Sequence, residues 1–259
     1  MKKFFSLIAI CAAAVIVSAE VIDLQSPSAW QKNSALTAKD GILTVTGKQQ
    51  LLTAEQITVD PAKTYTFTAA MRCVDGKKSV FMPIVLQYDA AKNTIGTGRA
   101  KTMDDTFTQL LAPVKRGDKS LLVKDAKLWP QKELLVIAFN TKEDYSDLPT
   151  PRVNWNTIES IVPENGAFRV NLKSIVPFNA APGGIRLHRN GPLYMFPAGG
   201  RQTGDNWQTI TGKITGMERK NFTDNSWAPG AVKARFGLQV NFRNIQGVTE
   251  IKDMKIIVE

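Results

Sequence analysis

Apolar and polar positions alternate with period two along most of the chain. Residues 41–46 alternate ahead of Gly47, and residues 55–59 run up to an Asp60-Pro61 turn signal. The longest alternation covers 65–73. There Tyr65, Phe67, Ala69, Met71 and Cys73 share one face and are mostly apolar, which predicts a strand with that face in a core. Residues 79–88 predict another strand, and Pro83 within it points to an edge or a bulge, because proline cannot donate to a ladder. Short apolar runs at 107–111, 120–123 and 133–139 are too brief for helices. Further strands are expected at 167–172, 185–189, 193–196, 207–213, 232–242 and 254–258, with Asn190-Gly191 as the turn of a hairpin that Pro192 lengthens.

Residues 140–157 hold Asp144, Asp147, Pro149, Pro151, Asn154 and Asn156, a composition that predicts a long loop. Loops of that length in compact domains are often functional. No segment carries a sustained 3.6-residue stripe with caps at both ends. Many short strands punctuated by Gly, Pro and Asn predict an all-β fold, a jelly-roll sandwich of two antiparallel sheets rather than an α/β fold.

The N-terminus sets the compartment. Lys2 and Lys3 precede an apolar run over 4–17, then Val17-Ser18-Ala19. That is the pattern of a cleaved secretory signal over 1–19, and it implies a secreted or periplasmic protein. The run is shorter than the ~20 residues that span a bilayer. Ile10 ahead of Cys11 argues against a lipobox, and no later stretch is apolar enough to span. Residues 20–259 then form a single domain, large enough for a sizeable core without disulfides. Once Cys11 leaves with the signal, Cys73 has no partner, and its place on the apolar face predicts a buried thiol.

The formal net charge is +10, which favours anionic partners: acidic glycans, the cell envelope or nucleic acid. The basic residues are scattered rather than blocked, so most of them read as solubilising.

Three segments carry a family resemblance. Lys63-Thr64-Tyr65 leads from a turn into a long strand. Trp207 opens the strand 207–214. The strand 234–240 is followed by 250–256, with Asp253 inside it. In that order they resemble the galactose-binding-like jelly rolls of family-4/9-like carbohydrate-binding modules. The resemblance covers roughly 40–98 and 205–259, and the region around 100–200 is an elaboration beyond the compact module. It implies a non-catalytic glycan- or polysaccharide-binding protein, with no nucleic-acid partner and a packing role for Trp207. It also implies a calcium ion near the chain ends, with Asp253 as a ligand and Asp23 as a second.

Chemistry-bearing residues are sparse. His188 is the only histidine, so a multi-histidine zinc site is excluded. There is no Gly-x-Ser-x-Gly elbow and no Walker loop. Arg186 and His188 share a strand face, with Tyr194 close behind, which makes a jelly-roll polysaccharide lyase the enzyme alternative. Glu143, Asp144 and Asp147 cluster in the loop and read as solvated or cation-binding. For sugar binding, aromatic rings that stack on C–H faces and side chains that bond hydroxyls are wanted. Tyr145, Trp155, Arg186, His188, Tyr194 and Trp227 are the candidates, with Trp129 a further ring. A structural or assembly protein of the cell envelope, using a sheet face, is the remaining alternative.

Overall fold

The computed structural model describes residues 19–259. The signal sequence expected over 1–19, Cys11 included, lies outside the described residues except for Ala19. In chain order the strands are β1 (Glu20–Asp23), β2 (Leu36–Lys39), β3 (Ile42–Thr46), β4 (Gln49–Leu52), β5 (Ile57–Thr58), β6 (Thr64–Cys73), β7 (Ser79–Tyr88) and β8 (Thr94–Ile95). A single helical turn, α1 (Thr97–Ala100), precedes β9 (Thr108–Leu110), β10 (Ser120–Val123), β11 (Leu134–Phe139), β12 (Val153–Glu164), β13 (Ala167–Leu172) and β14 (Gly183–His188). The chain closes with β15 (Arg201–Thr203), β16 (Gln208–Thr215), β17 (Lys233–Val240) and β18 (Val248–Val258). Among the described residues no helix is long and apolar enough to cross a membrane.

Two antiparallel sheets face each other. One runs β16-β6-β18-β3-β2, with β1 also on β18; the other runs β15-β7-β17-β4, with β5 on β17 and β8 on β7. The strand pairs β3/β4, β6/β7, β15/β16 and β17/β18 each cross from one sheet to the other. Their orders, β3-β18-β6-β16 and β4-β17-β7-β15, are those of a jelly roll. The fold class expected from the alternation is therefore the one observed. On β6, Tyr65, Phe67, Ala69, Met71 and Cys73 are all buried, each at most 2% exposed. Cys73 is a buried free thiol whose Sγ lies 3.4 Å from Thr203 Oγ1.

Pro83 sits where its missing donor is harmless. Val85 exchanges backbone bonds with Met195 (2.9 and 3.0 Å) on the side of β7 away from β17. Pro83 has the same parity and points to that side. It falls between the Val85–Met195 bridge and the β15 pairing that ends at Phe81.

The elaboration of the middle region is a second body of strand. It enters in the connection from β7 to β15 and closes as a six-stranded barrel, β10-β13-β12-β11-β14-β9. The barrel has its own core around Leu121, Ile137, Phe139, Ile158, Val170 and Leu187, separate from the sandwich core around Phe67, Phe81, Trp227 and Phe236.

Two sequence expectations change here. The loop expected over 140–157 ends earlier, because β12 starts at Val153. Its inward positions are Asn154 and Asn156 rather than apolar residues, which hides the strand. Asn156 is satisfied by Ser174, accepting from its amide (3.0 Å) and donating to its carbonyl (2.8 Å). The strand and hairpin expected at 193–196 reduce to the single Met195–Val85 bridge. β14 already has β9 and β11 on its two sides, so it offers no free edge to a hairpin partner.

Candidate functional site

The site lies where the barrel meets the sandwich. β8 and α1 end the sandwich portion, and β12 of the barrel runs past them. The Trp155 ring leaves β12 on its outward face and is 50% exposed. It rests on Gly98 of α1, where a Cβ would lie 3.0 Å from Cζ2 of the indole and 3.1 Å from Val136. A side chain at this position would crowd both the ring and Val136.

Beside the ring is a cavity of about 120 Å³, walled by Thr94, Gly96, Arg99, Gly191, Pro192 and Leu193. Arg99 is fully engaged, donating to Asp89 Oδ2 (2.8 Å), the Thr94 carbonyl (2.6 Å) and the Thr150 carbonyl (3.1 Å). Across the Gly191-Pro192 ridge opens a second cavity of about 340 Å³, with Lys101, Arg189, Asn190 and Asp224 in its wall. Among the described residues neither Lys101 nor Arg189 is in an ion pair.

Under Gly98 runs a buried polar chain. The Gly98 carbonyl is 3.0 Å from His188 Nδ1, and Arg186 Nε donates to His188 Nε2 at 2.9 Å. A guanidinium cannot accept, so Nε2 carries the lone pair and Nδ1–H donates to Gly98. Arg186 in turn forms a two-pronged pair with Asp147, at 3.0 and 2.7 Å, and donates to the Lys142 carbonyl at 2.9 Å. Tyr145 lies over the guanidinium, 5.2 Å from ring centroid to Cζ, with Lys220 Nζ 5.4 Å from the same ring. Burial, reinforced by the Arg186 charge, pushes the His188 pKa down to about 4 against the opposing pull of Gly98 and Asp147.

The sequence candidates divide accordingly. Tyr145, Trp155, Arg186 and His188 are brought into one connected network, but of these only Trp155 presents a ring to a cavity, the smaller one. Arg186 and His188, 1% and 0% exposed, cannot touch a glycan; they brace the platform from beneath. β14 buries both faces, one in the barrel core and one under the 140–150 loop and α1, which is why its polar face is covered as well. Tyr194 stands apart, half-buried over β4, with its hydroxyl accepting from Gln50 Nε2 at 2.8 Å. Arg186, His188 and Tyr194 therefore do not converge in one groove.

Trp227 is corrected from ligand platform to core. It is 0% exposed and packs edge-on against Tyr65 at 5.1 Å and Phe236 at 6.5 Å. Trp129 is also buried, with Nε1 donating to the Thr106 carbonyl at 2.9 Å. Trp207 is half-buried on the outside of the first sheet, with Arg72 at 4.7 Å and Lys252 at 4.5 Å over its ring.

Asp253, the expected calcium ligand, lies on β18. It is exposed, at φ 54° in the irregular stretch of β18 between Lys252 and Lys255. Asp23, in register with Lys255, spends Oδ1 on the Gln25 amide at 2.9 Å. No group of three or more His, Cys, Asp or Glu side chains is placed to hold a metal ion among the described residues.

The residues missed in the sequence are Gly98, Lys101, Arg189 and the Gly191-Pro192 ridge. Only the turn character of the ridge was visible in advance.

Fold and site together define a jelly roll with a barrel inserted between its fourth and fifth strands, β7 and β15, and an exposed tryptophan at the junction. No protein-family description matches the chain. No curated protein matches it either. Among solved structures the chain is similar to the VP16-VP17 complex, a complex of the two major capsid proteins of bacteriophage P23-77. That match has 10% identity over 93% of this chain and 99% of that one, with a TM-score of 0.14. It is also similar to VP17, a capsid protein of the same bacteriophage, at 8% identity over 91% and 98% of the two chains, with a TM-score of 0.15.

Proposed function

We propose that the chain is an exported, non-catalytic carbohydrate-binding protein whose ligand is an anionic polysaccharide. The observation that carries this reading is the half-exposed Trp155 ring, packed on Gly98 in the wall of the smaller of two adjoining cavities. A pyranose C–H face stacks on the indole. The next residue of the polymer crosses the Gly191-Pro192 ridge and brings its carboxylate or sulfate to Lys101 and Arg189. The polar side chains nearest the ring, Arg99 and Thr97, are already bonded to protein, so stacking dominates at that subsite.

A non-catalytic role is supported by the state of the only histidine. Its nitrogens are both hydrogen-bonded and its side chain is fully buried, so it cannot take a proton from a bound sugar.

The test is binding to an array of acidic and neutral polysaccharides, with the absorbance of unsaturated products followed in parallel. Acidic glycans are retained by the wild type. Trp155→Ala lowers affinity at least about tenfold while the melting temperature stays near that of the wild type, since the ring is half in water. Silence across the array, or equal binding by Trp155→Ala, refutes the proposal; a rise in absorbance refutes its non-catalytic part.

A further inference from the structure

The opposite end of the jelly roll carries a different surface. Three connections meet there: the β3–β4 turn at 47–48, the β6–β7 loop at 74–78 and the β17–β18 loop at 241–247. They are stitched together by backbone bonds from Gly47 to Gly247 (2.8 Å), Lys48 to Ile245 (3.3 Å) and Val74 to Val248 (3.0 Å). From this tip project Val74, Phe242 and Ile245, at 45%, 42% and 72% exposure. Around them stand four exposed cations, Lys48, Lys77, Lys78 and Arg243. The one acid in the three loops, Asp75, accepts from Asn244 at 3.0 Å; Asp205 lies in the neighbouring β15–β16 loop.

Single exposed apolar residues are ordinary, but three on one convex tip within a basic ring are not. Nor are they free to fold inward. Asn241, fully buried and at φ 57°, donates to the Gly47 and Gly247 carbonyls at 2.9 Å each and accepts from Thr249 Oγ1 at 2.7 Å. This clamp fixes the loop so that the next residues, Phe242 to Ile245, point outward.

We propose that this tip docks on an anionic lipid surface, with Ile245 and Phe242 entering the interface and the four cations meeting headgroup phosphates. The convex shape fits a bilayer surface rather than a cleft ligand, and the charge balance fits acidic headgroups. Lys48 already lies over the Phe242 ring at 4.4 Å, so its ammonium can stay at headgroup level while the ring sinks. β7, ten residues long, runs from this tip to the tryptophan junction, which separates the two sites by roughly 30 Å. A protein anchored here presents Trp155 away from the membrane.

The test is co-sedimentation of the full chain with phosphatidylcholine vesicles, with and without phosphatidylglycerol. All variants share one N-terminus, so differences among them report on the tip. The wild type sediments with the anionic vesicles, and does so less as salt rises. Phe242→Ser with Ile245→Ser, and separately Lys77→Glu with Lys78→Glu, each lower the partition about tenfold. Ile245→Trp provides a second readout, with emission shifting to the blue on anionic vesicles only. If the serine variant binds like the wild type while the glutamate variant fails, the tip is a plain polyanion-binding face and the proposal falls. Absence of the blue shift also overturns it.

Discussion

At the residue scale the junction is an exercise in bracing. Asp147 holds Arg186, Arg186 holds His188, His188 holds the Gly98 carbonyl, and Gly98 supports the indole. Asp147→Ala strands a buried guanidinium, and unfolding by urea should show a loss of about 3–5 kcal/mol. His188 gives a pH signature of known sign. Its folded pKa, about 4, lies below the unfolded value near 6.5, so the unfolded chain binds the proton first. Stability is fully present above pH 6.5 and is lost as pH falls towards 4, by on the order of 3 kcal/mol. Denaturation curves across that window should show the decline in the wild type and a shallower one in His188→Gln. Gly98→Ala pushes a methyl group against the ring, and calorimetry with an acidic glycan should register weaker binding with little change in stability. The sequence revealed that Arg186 and His188 share a face. It could not reveal that the face is covered, because the cover is Asp147 and α1, far away along the chain.

At the scale of elements, period two was a good guide wherever the inward positions were apolar. β6, β13 and β16 stand close to where strands were expected, and β10 and β11 coincide with the short apolar runs at 120–123 and 133–139. β12 escaped because Asn154 and Asn156 stand at inward positions where apolar residues are expected, so its pattern read as a loop. The 193–196 hairpin failed for a reason no local pattern carries: both flanks of β14 were taken. Trp155 was legible as a ring of uncertain burial, and its place on a strand was not. Close backbone approach also leaves a mark. A Cβ on Gly237 would drive into the Leu51 carbonyl across the β17–β4 pairing, whereas one on Gly204 meets nothing within 4 Å. Gly237→Ala should therefore lower the melting temperature by an amount equivalent to about 2 kcal/mol or more, and Gly204→Ala should leave it nearly unchanged.

At the scale of the whole molecule, the alternation predicted an all-β sandwich, and two facing antiparallel sheets are observed. It did not show that the elaboration closes on itself, since ring closure rests on pairings such as β9 with β14 and β10 with β13 that join distant runs. Two cores imply two sites of local opening. Ile137→Ala, in the barrel core, should speed amide exchange across β11 and β12 while β6 and β18 keep their protection. Phe67→Ala should do the reverse. The barrel also leaves and rejoins the sandwich through one doorway, where the Arg189 amide bonds the Lys101 carbonyl at 2.8 Å and Thr102 bridges His188. Once the barrel has formed, the two halves of the jelly roll are delivered side by side. Strands such as β7 and β17 then search for each other as near neighbours rather than across a long tether, so the inserted body works as a folding staple that shortens the loop it occupies.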